Sequence, residues 1–193
     1  SETLNTNLSD FLPGILKVAR LGYDGKGQVR VSTPGEAREA YAQLGRQPCV
    51  LEKRLDLHLE VSVIVARTGK NAVATFPVAE NRHENGILDV SIIPARMEGL
   101  MTESAQAIAL RVAEALDYVG VLGVEMFVLE GGRILVNEIA PRPHNSGHYS
   151  LDATLSSQFE QQVRTLCGLP PASTRLLSPC VMVNLLGDLW GDQ

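Results

Sequence analysis

The chain has 193 residues, a formal net charge of −5, 45% apolar residues and only 5% aromatic ones. This suits one large globular domain or two small ones with enough chain to bury a core. No apolar run approaches the ~18 residues of a membrane helix, and an acidic balance with few aromatics argues against general nucleic-acid binding, which needs positive charge and stacking surfaces. The first ten residues have neither a basic start nor an apolar stretch, so no secretory leader is expected. Cys49, Cys167 and Cys180 fit neither a disulfide framework nor a zinc spacing, and point to a reducing cytoplasm.

In chain order, Gly14–Ala19 reads as a short strand, followed by a glycine-rich loop and a second strand at Gln28–Ser32. Thr33, Pro34 and Glu36 form a helix start with a capping box, and that helix is expected to run to Leu44 and stop at Gly45. Pro48–Lys53 is a strand. Leu59–Arg67 and Ala72–Ala79 form a hairpin about the turn TGKN. Asn81–Gly86 reads as a polar loop, and Ile87–Ala95 as another strand. A helix is expected from Thr102 to Tyr118, with Ile108, Ala109, Val112, Ala113 and Leu116 on one face. Val121–Leu129 and Arg133–Ile139 form a hairpin turning at Gly131 and Gly132. A last helix opens on the capping box of Ser157 and Glu160. The expected fold class is α+β: a small α/β lobe and a larger antiparallel sheet with helices on one face.

Three segments carry chemistry. The loop Gly22–Gln28 has three glycines whose backbone can turn N–H groups toward phosphates, with lysines at Lys17 and Lys26, but it lacks the P-loop pattern and can equally be an ordinary hairpin turn. In the second hairpin, a two-residue turn sets Glu125 directly opposite Glu138. Bare like charges there repel, and a divalent cation between them resolves the conflict, since carboxylate oxygens are usual Mg²⁺ ligands. The apolar surroundings of both residues point to a buried pair. The loop from Pro141 to Tyr149 gathers Arg142, His144, Asn145, Ser146 and His148. A Ser/His nucleophilic pair there lacks a glycine elbow and an Asp partner, so contact with an anionic or oxygen-rich substrate fits better.

GYDGKGQ, CVLEK, LEVSVIVAR, FPVAENRHENGILDVSIIPAR, YVGVLGVEMFV and VNEIAPRPHNSGHY together resemble the ATP-grasp superfamily. Within it they are most similar to the N5-carboxyaminoimidazole ribonucleotide synthetases, the ATPase subunit of phosphoribosylaminoimidazole carboxylase. The resemblance runs from about Pro13 to Trp190. It implies a small lobe with a glycine-rich lid over residues 13–57 and a large lobe over residues 58–193. It also implies that the chain is a central portion, lacking an N-terminal Rossmann-like domain and a C-terminal segment.

The implied activity is ATP- and bicarbonate-dependent carboxylation of 5-aminoimidazole ribonucleotide in purine biosynthesis, through carboxyphosphate. A nucleotide-binding fragment without turnover, or a ligase on another acceptor, are the alternatives. The resemblance places Lys17 and Gly22, Tyr23, Asp24, Gly25, Lys26, Gly27 and Gln28 on the ATP phosphates. It places Glu52, Lys53 and Leu55 at the adenine, Glu60 at the ribose, and His83 and Asn137 on the nucleotide as well. Glu125 and Glu138 would bind Mg²⁺. Tyr23, Asp24, His144, Asn145 and Ser146 would face the ribonucleotide, Arg142 would lie near the transferred phosphate, and Asp24 would orient the reacting amine or take its proton. A homodimer is also implied.

Overall fold

A computed structural model describes residues 8–20, 26–69 and 72–187. The chain divides into two compact units. One contains the described residues up to Asp56 together with Asn85–Ile87, and the other contains Leu57–Glu84 and the described residues from Leu88 onward.

The first unit holds a three-stranded sheet in the order β2-β1-β3, made of β1 (Gly14–Val18), β2 (Gln28–Val31) and β3 (Cys49–Lys53). Helix α1 (Pro34–Gln43) begins at Thr33, whose hydroxyl accepts the Glu36 N–H. The Glu36 carboxylate reaches back to the Ser32 N–H, so the expected capping box closes one residue further out. Gly45 ends the helix at a φ of +79°, a conformation that costs other residues more. Leu16, Val31, Ala37 and Ala40 form the core between the helix and one sheet face.

The second unit is built on a seven-stranded sheet in the order β10-β7-β6-β4-β8-β9, with β5 also paired to β4. Its strands are β4 (Leu57–Gly69), β5 (Ala72–Thr75), β6 (Ala79–Glu84), β7 (Ile87–Ile93), β8 (Gly120–Leu129), β9 (Ile134–Ala140) and β10 (Cys180–Val183). Strand β4 is central, and β5 and β6 follow one another antiparallel along the same edge of it. The segment expected as one strand to Ala79 is therefore two. The expected polar loop Asn81–Gly86 is also corrected: Asn81 to Glu84 belong to β6, and only Asn85 and Gly86, both at positive φ, make the turn. Asn81 sits in the strand because its amide is satisfied on both sides by buried serines.

Helices cover both sheet faces rather than the one expected. Helix α2 (Gly99–Ala115) lays Ala105, Ala109 and Ala113 on Val61, Val63, Val65, Leu122 and Val124. The short α3 (Ser150–Ala153), α4 (Gln158–Leu166) and the turn Asn145–Gly147 belong to the opposite side, where Gly147 sits against Ile64 and Gln158. Alternation explains the division: residues 61, 63 and 65 of β4 face α2, while 62, 64 and 66 face the other way.

Candidate functional site

On the first unit's sheet, the face away from α1 carries Lys17 of β1, with Gln28 its cross-strand neighbour on one side and Val50 on the other. Glu52, diagonal to Lys17, binds it in a 2.6 Å ion pair. Lys53 is exposed and Leu55 half-buried. Lys26 and Gly27 form the turn into β2, and the Gly27 carbonyl accepts the Val18 N–H at 2.8 Å. Gly22, Tyr23, Asp24 and Gly25, expected on phosphate and substrate, lie outside the described residues.

The second unit's sheet carries a row of polar side chains across the face opposite α2. Glu138 of β9 pairs with Glu125 of β8, which pairs in turn with Ser62 of β4. The Glu125–Glu138 pairing is the expected one, reached by a different route. The turn spans three residues, closed by the Leu129 N–H to Arg133 O at 2.9 Å, and a bulge between Met126 and Glu125 restores the register. The extra residue in the bulge is Asn137, so Asn137 and Glu138 together oppose Glu125. Glu138 is exposed rather than buried as expected, because β9 is an edge strand. Glu125 is mostly buried.

Burial pushes the Glu125 carboxyl above its usual pKa; His83 opposes that shift, Glu138 and Glu60 add to it, and Arg142 opposes it. His83 Nδ1 lies 2.9 Å from Glu60 Oε2. The Glu60 hydrogen bond raises the His83 pKa against the effect of burial, with the charges of Glu60, Glu125 and Glu138 helping. Three carboxylates thus act on one imidazole. A hard divalent cation fits Glu125 and Glu138. Among the described residues no group of three or more His, Cys, Asp or Glu forms a fuller metal shell, so such an ion would complete its coordination with water and phosphate oxygens.

His144 lies against the sheet beside Glu125, its Nε2 3.6 Å from Glu125 Oε1. It can do so because residue 123 is glycine: a Cβ there would stand 2.8 Å from the His144 Cβ. Buried Gln158 clamps the His144 backbone from both sides, accepting its N–H at 2.9 Å and donating to its carbonyl at 2.7 Å. Burial, then the positive charges of Arg142, His148 and His83, lower the His144 pKa to about 4, which leaves the ring neutral at pH 7.

Ser146 is completely buried, its hydroxyl held between Ser62 at 2.8 Å and His144 Nδ1 at 2.9 Å. The pair has the spacing of an activated nucleophile, but it is sealed from any substrate. Asn145 Oδ1 is buried and has no hydrogen-bond partner among the described residues. Arg142 is exposed, and His148 stacks near Phe159 at 5.8 Å between ring centroids.

The structure therefore brings Glu60, His83, Glu125, Asn137, Glu138, Arg142, His144 and Ser146 to one sheet face. Sequence reading missed Ser62, Asn81, Ser91 and Gln158. The buried Gln158 has one signal in the sequence: it stands at the N-terminal end of a helix whose apolar residues point away from it.

The ATP-grasp domain family matches residues 2–159. The N5-carboxyaminoimidazole ribonucleotide synthase of Bacillus subtilis is 51% identical over 92% of this chain and 47% of its own length. That of Brucella melitensis is 50% identical over 91% of this chain and 49% of its own. An N5-carboxyaminoimidazole ribonucleotide synthetase solved as its ADP complex superposes with a TM-score of 0.89 at 46% identity, covering 96% of this chain and 50% of that one. The Aspergillus clavatus synthase solved with ADP and 5-aminoimidazole ribonucleotide gives a TM-score of 0.83 at 34% identity, covering 91% and 46%. The chain spans about half the length of the curated relatives it matches. With the sheet, the facing carboxylates and the family match in agreement, the chain belongs to the ATP-grasp domain family.

Proposed function

We propose that the chain serves the ATP- and bicarbonate-dependent carboxylation of 5-aminoimidazole ribonucleotide. The observation that carries this reading is the facing pair Glu125 and Glu138, with Asn137 beside them and neutral His144 on the same face. ATP would lie with its phosphates on Lys17 and residues 22–28. Glu52, Lys53 and Leu55 would hold the adenine, Glu60 the ribose, and His83 and Asn137 further nucleotide oxygens. A Mg²⁺ ion held by Glu125 and Glu138 would neutralise charge developing on the phosphates.

A bicarbonate oxygen attacks the γ-phosphorus, the bond to ADP breaks, and carboxyphosphate forms. The exocyclic amine of the ribonucleotide then attacks the carboxyl carbon, phosphate leaves, and the amine gives up a proton, which Asp24 would take. Arg142 would stabilise the transferred phosphoryl group, and Asp24 would orient the amine. His144 and Asn145 would meet the ribonucleotide with Tyr23, the unpaired Asn145 oxygen offering an acceptor. Ser146, completely buried, would act through His144.

A cytoplasmic homodimer is part of the same proposal. The three cysteines are free, as a reducing compartment keeps them, and α4 turns Phe159, Val163 and Leu166 outward as a surface for a second copy. Among the described residues no helix is long and apolar enough to cross a membrane.

The test is ADP release by this chain with bicarbonate and candidate acceptors, alongside a full-length relative. Release stimulated by 5-aminoimidazole ribonucleotide and dependent on bicarbonate is expected. Stimulation by a different acceptor, or nucleotide binding with no turnover by either protein, overturns the reading.

A further inference from the structure

The polar row continues beyond Glu125 into the sheet as an unbroken line of hydrogen bonds. The Ser91 hydroxyl of β7 donates to Asn81 Oδ1 at 2.8 Å, and Asn81 Nδ2 of β6 donates to Ser62 Oγ at 2.9 Å. Ser62 of β4 donates to Ser146 Oγ at 2.8 Å, and Ser146 Oγ lies 2.9 Å from His144 Nδ1. All four of Ser91, Asn81, Ser62 and Ser146 are at least nine-tenths buried. Away from Glu60, His83 and Glu125 the same face is apolar, with Ile64, Ala66, Phe76, Ala79 and Ile93. Apolar residues would fill the same space with no partners to find. The line is instead complete at each link and ends beside Glu125.

The direction of the line follows from its last member. The Ser146 backbone N–H points at His144 Nδ1 from 3.3 Å, so that nitrogen is an acceptor and the neutral ring carries its proton on Nε2. The Ser146 hydroxyl must then donate to Nδ1, which leaves its oxygen to accept from Ser62. Ser62 in turn accepts from the Asn81 amide, whose oxygen accepts from Ser91. Each proton points the same way, toward Glu125.

We propose that Ser91, Asn81 and Ser62 are positioning residues that, through Ser146, hold the His144 ring with its Nε2–H turned to Glu125. The consequence for Glu125 rests on the cation-binding reading above: a fixed donor beside one carboxylate oxygen leaves the other to the ion. Outer partners of this kind commonly set metal affinity by about 10–100-fold.

Two measurements on the whole chain test this. Two-bond proton–nitrogen correlation spectra of histidine-labelled protein at neutral pH report which ring nitrogen carries the proton, and loss of signal in His144→Asn assigns the ring. Wild-type His144 is expected as a single Nε2–H tautomer. Ser62→Ala, and Asn81→Leu with its similar volume, are expected to mix the two tautomers and weaken Mn²⁺ binding about tenfold. Ser62→Thr, which keeps the hydroxyl, is expected to restore both.

A wild-type ring protonated on Nδ1 overturns the proposal whether or not any variant folds. Folded Ser62→Ala and Asn81→Leu proteins that keep one Nε2–H tautomer and wild-type Mn²⁺ affinity overturn it too. A wild-type chain that binds no Mn²⁺ instead removes the cation reading, and the tautomer then decides the positioning line by itself.

Discussion

At Gly123 one hydrogen atom decides whether a histidine can pack closely against a β-strand. A methyl group there meets the His144 Cβ at 2.8 Å and its ring carbon at 3.1 Å, and both the strand and the clamped loop resist moving. Gly123→Ala should cost about 1–3 kcal/mol and abolish Mg²⁺-dependent nucleotide binding, read by chemical denaturation and calorimetry. Glu125 behaves in the opposite way. Burial and two neighbouring carboxylates disfavour its charged form, so Glu125→Gln should stabilise the metal-free chain by about 1 kcal/mol while removing Mg²⁺-dependent binding. A variant that loses both stability and binding would show that the carboxylate is needed for the fold itself.

Elements differ in how openly they announce themselves. Strands β4 and β8 are rich in β-branched residues, and α1 and α4 open on Thr33 and Ser157 with a glutamate placed to close the cap, so local chemistry predicts them. Strand β6 was misread because polarity normally marks a loop, whereas the partners that satisfy Asn81 come from β4 and β7, distant in sequence. The placing of α4 was equally hidden. Its inward face is Gln158 and Gln161, bonded to the loops around them, and Thr165, bonded to the Gln162 carbonyl, and its outward face is Phe159, Val163 and Leu166. A periodicity argument assigns the apolar stripe to the core, and here it faces solvent. If that stripe joins two copies, Val163→Glu should shift the sedimenting species from dimer to monomer with little change in folding. Helix α2 follows the ordinary rule with an alanine seam, and Ala109→Leu should cost about 1–3 kcal/mol through overpacking, measured by denaturation.

For the whole molecule, the pH limit of stability on the acid side is set in part on the sheet face opposite the site. Glu80 is 2% exposed and accepts the Arg96 guanidinium and backbone N–H. The Arg96 hydrogen bond holds its pKa below the ordinary 4.5 despite burial. A depressed carboxylate binds fewer protons folded than unfolded. Its contribution is therefore complete above about pH 4.5 and drains away as the pH falls through the folded value. Glu80→Gln should lower stability at pH 7 by about 1–3 kcal/mol and flatten the acid limb, visible in denaturation curves taken between pH 7 and 3. The candidate site was legible mainly as a list: Glu125, Glu138 and His144 can be picked from the chain by type and spacing, and Asn137 only through the family resemblance. What held them there was not legible, since Ser62, Asn81, Ser91 and Gln158 act through contacts that no local pattern encodes.

The bulge at Asn137 gives an unusual editing property. Removing one residue from a strand normally throws every later side chain onto the wrong face. Here residues Ile134 to Val136 are already in step with β8, and Glu138 to Ala140 are in step one place later. Excising Asn137 therefore joins two correct ladders into one continuous ladder, with Glu138 still across from Glu125 and only the amide gone. Excising Val136 instead would seat Asn137 across from Met126, in the exposed position that Val136 holds now. Either deletion should thus fold with Glu138 across from Glu125, and each, having taken the Asn137 amide from its place beside the carboxylates, should alter the affinity for nucleotide.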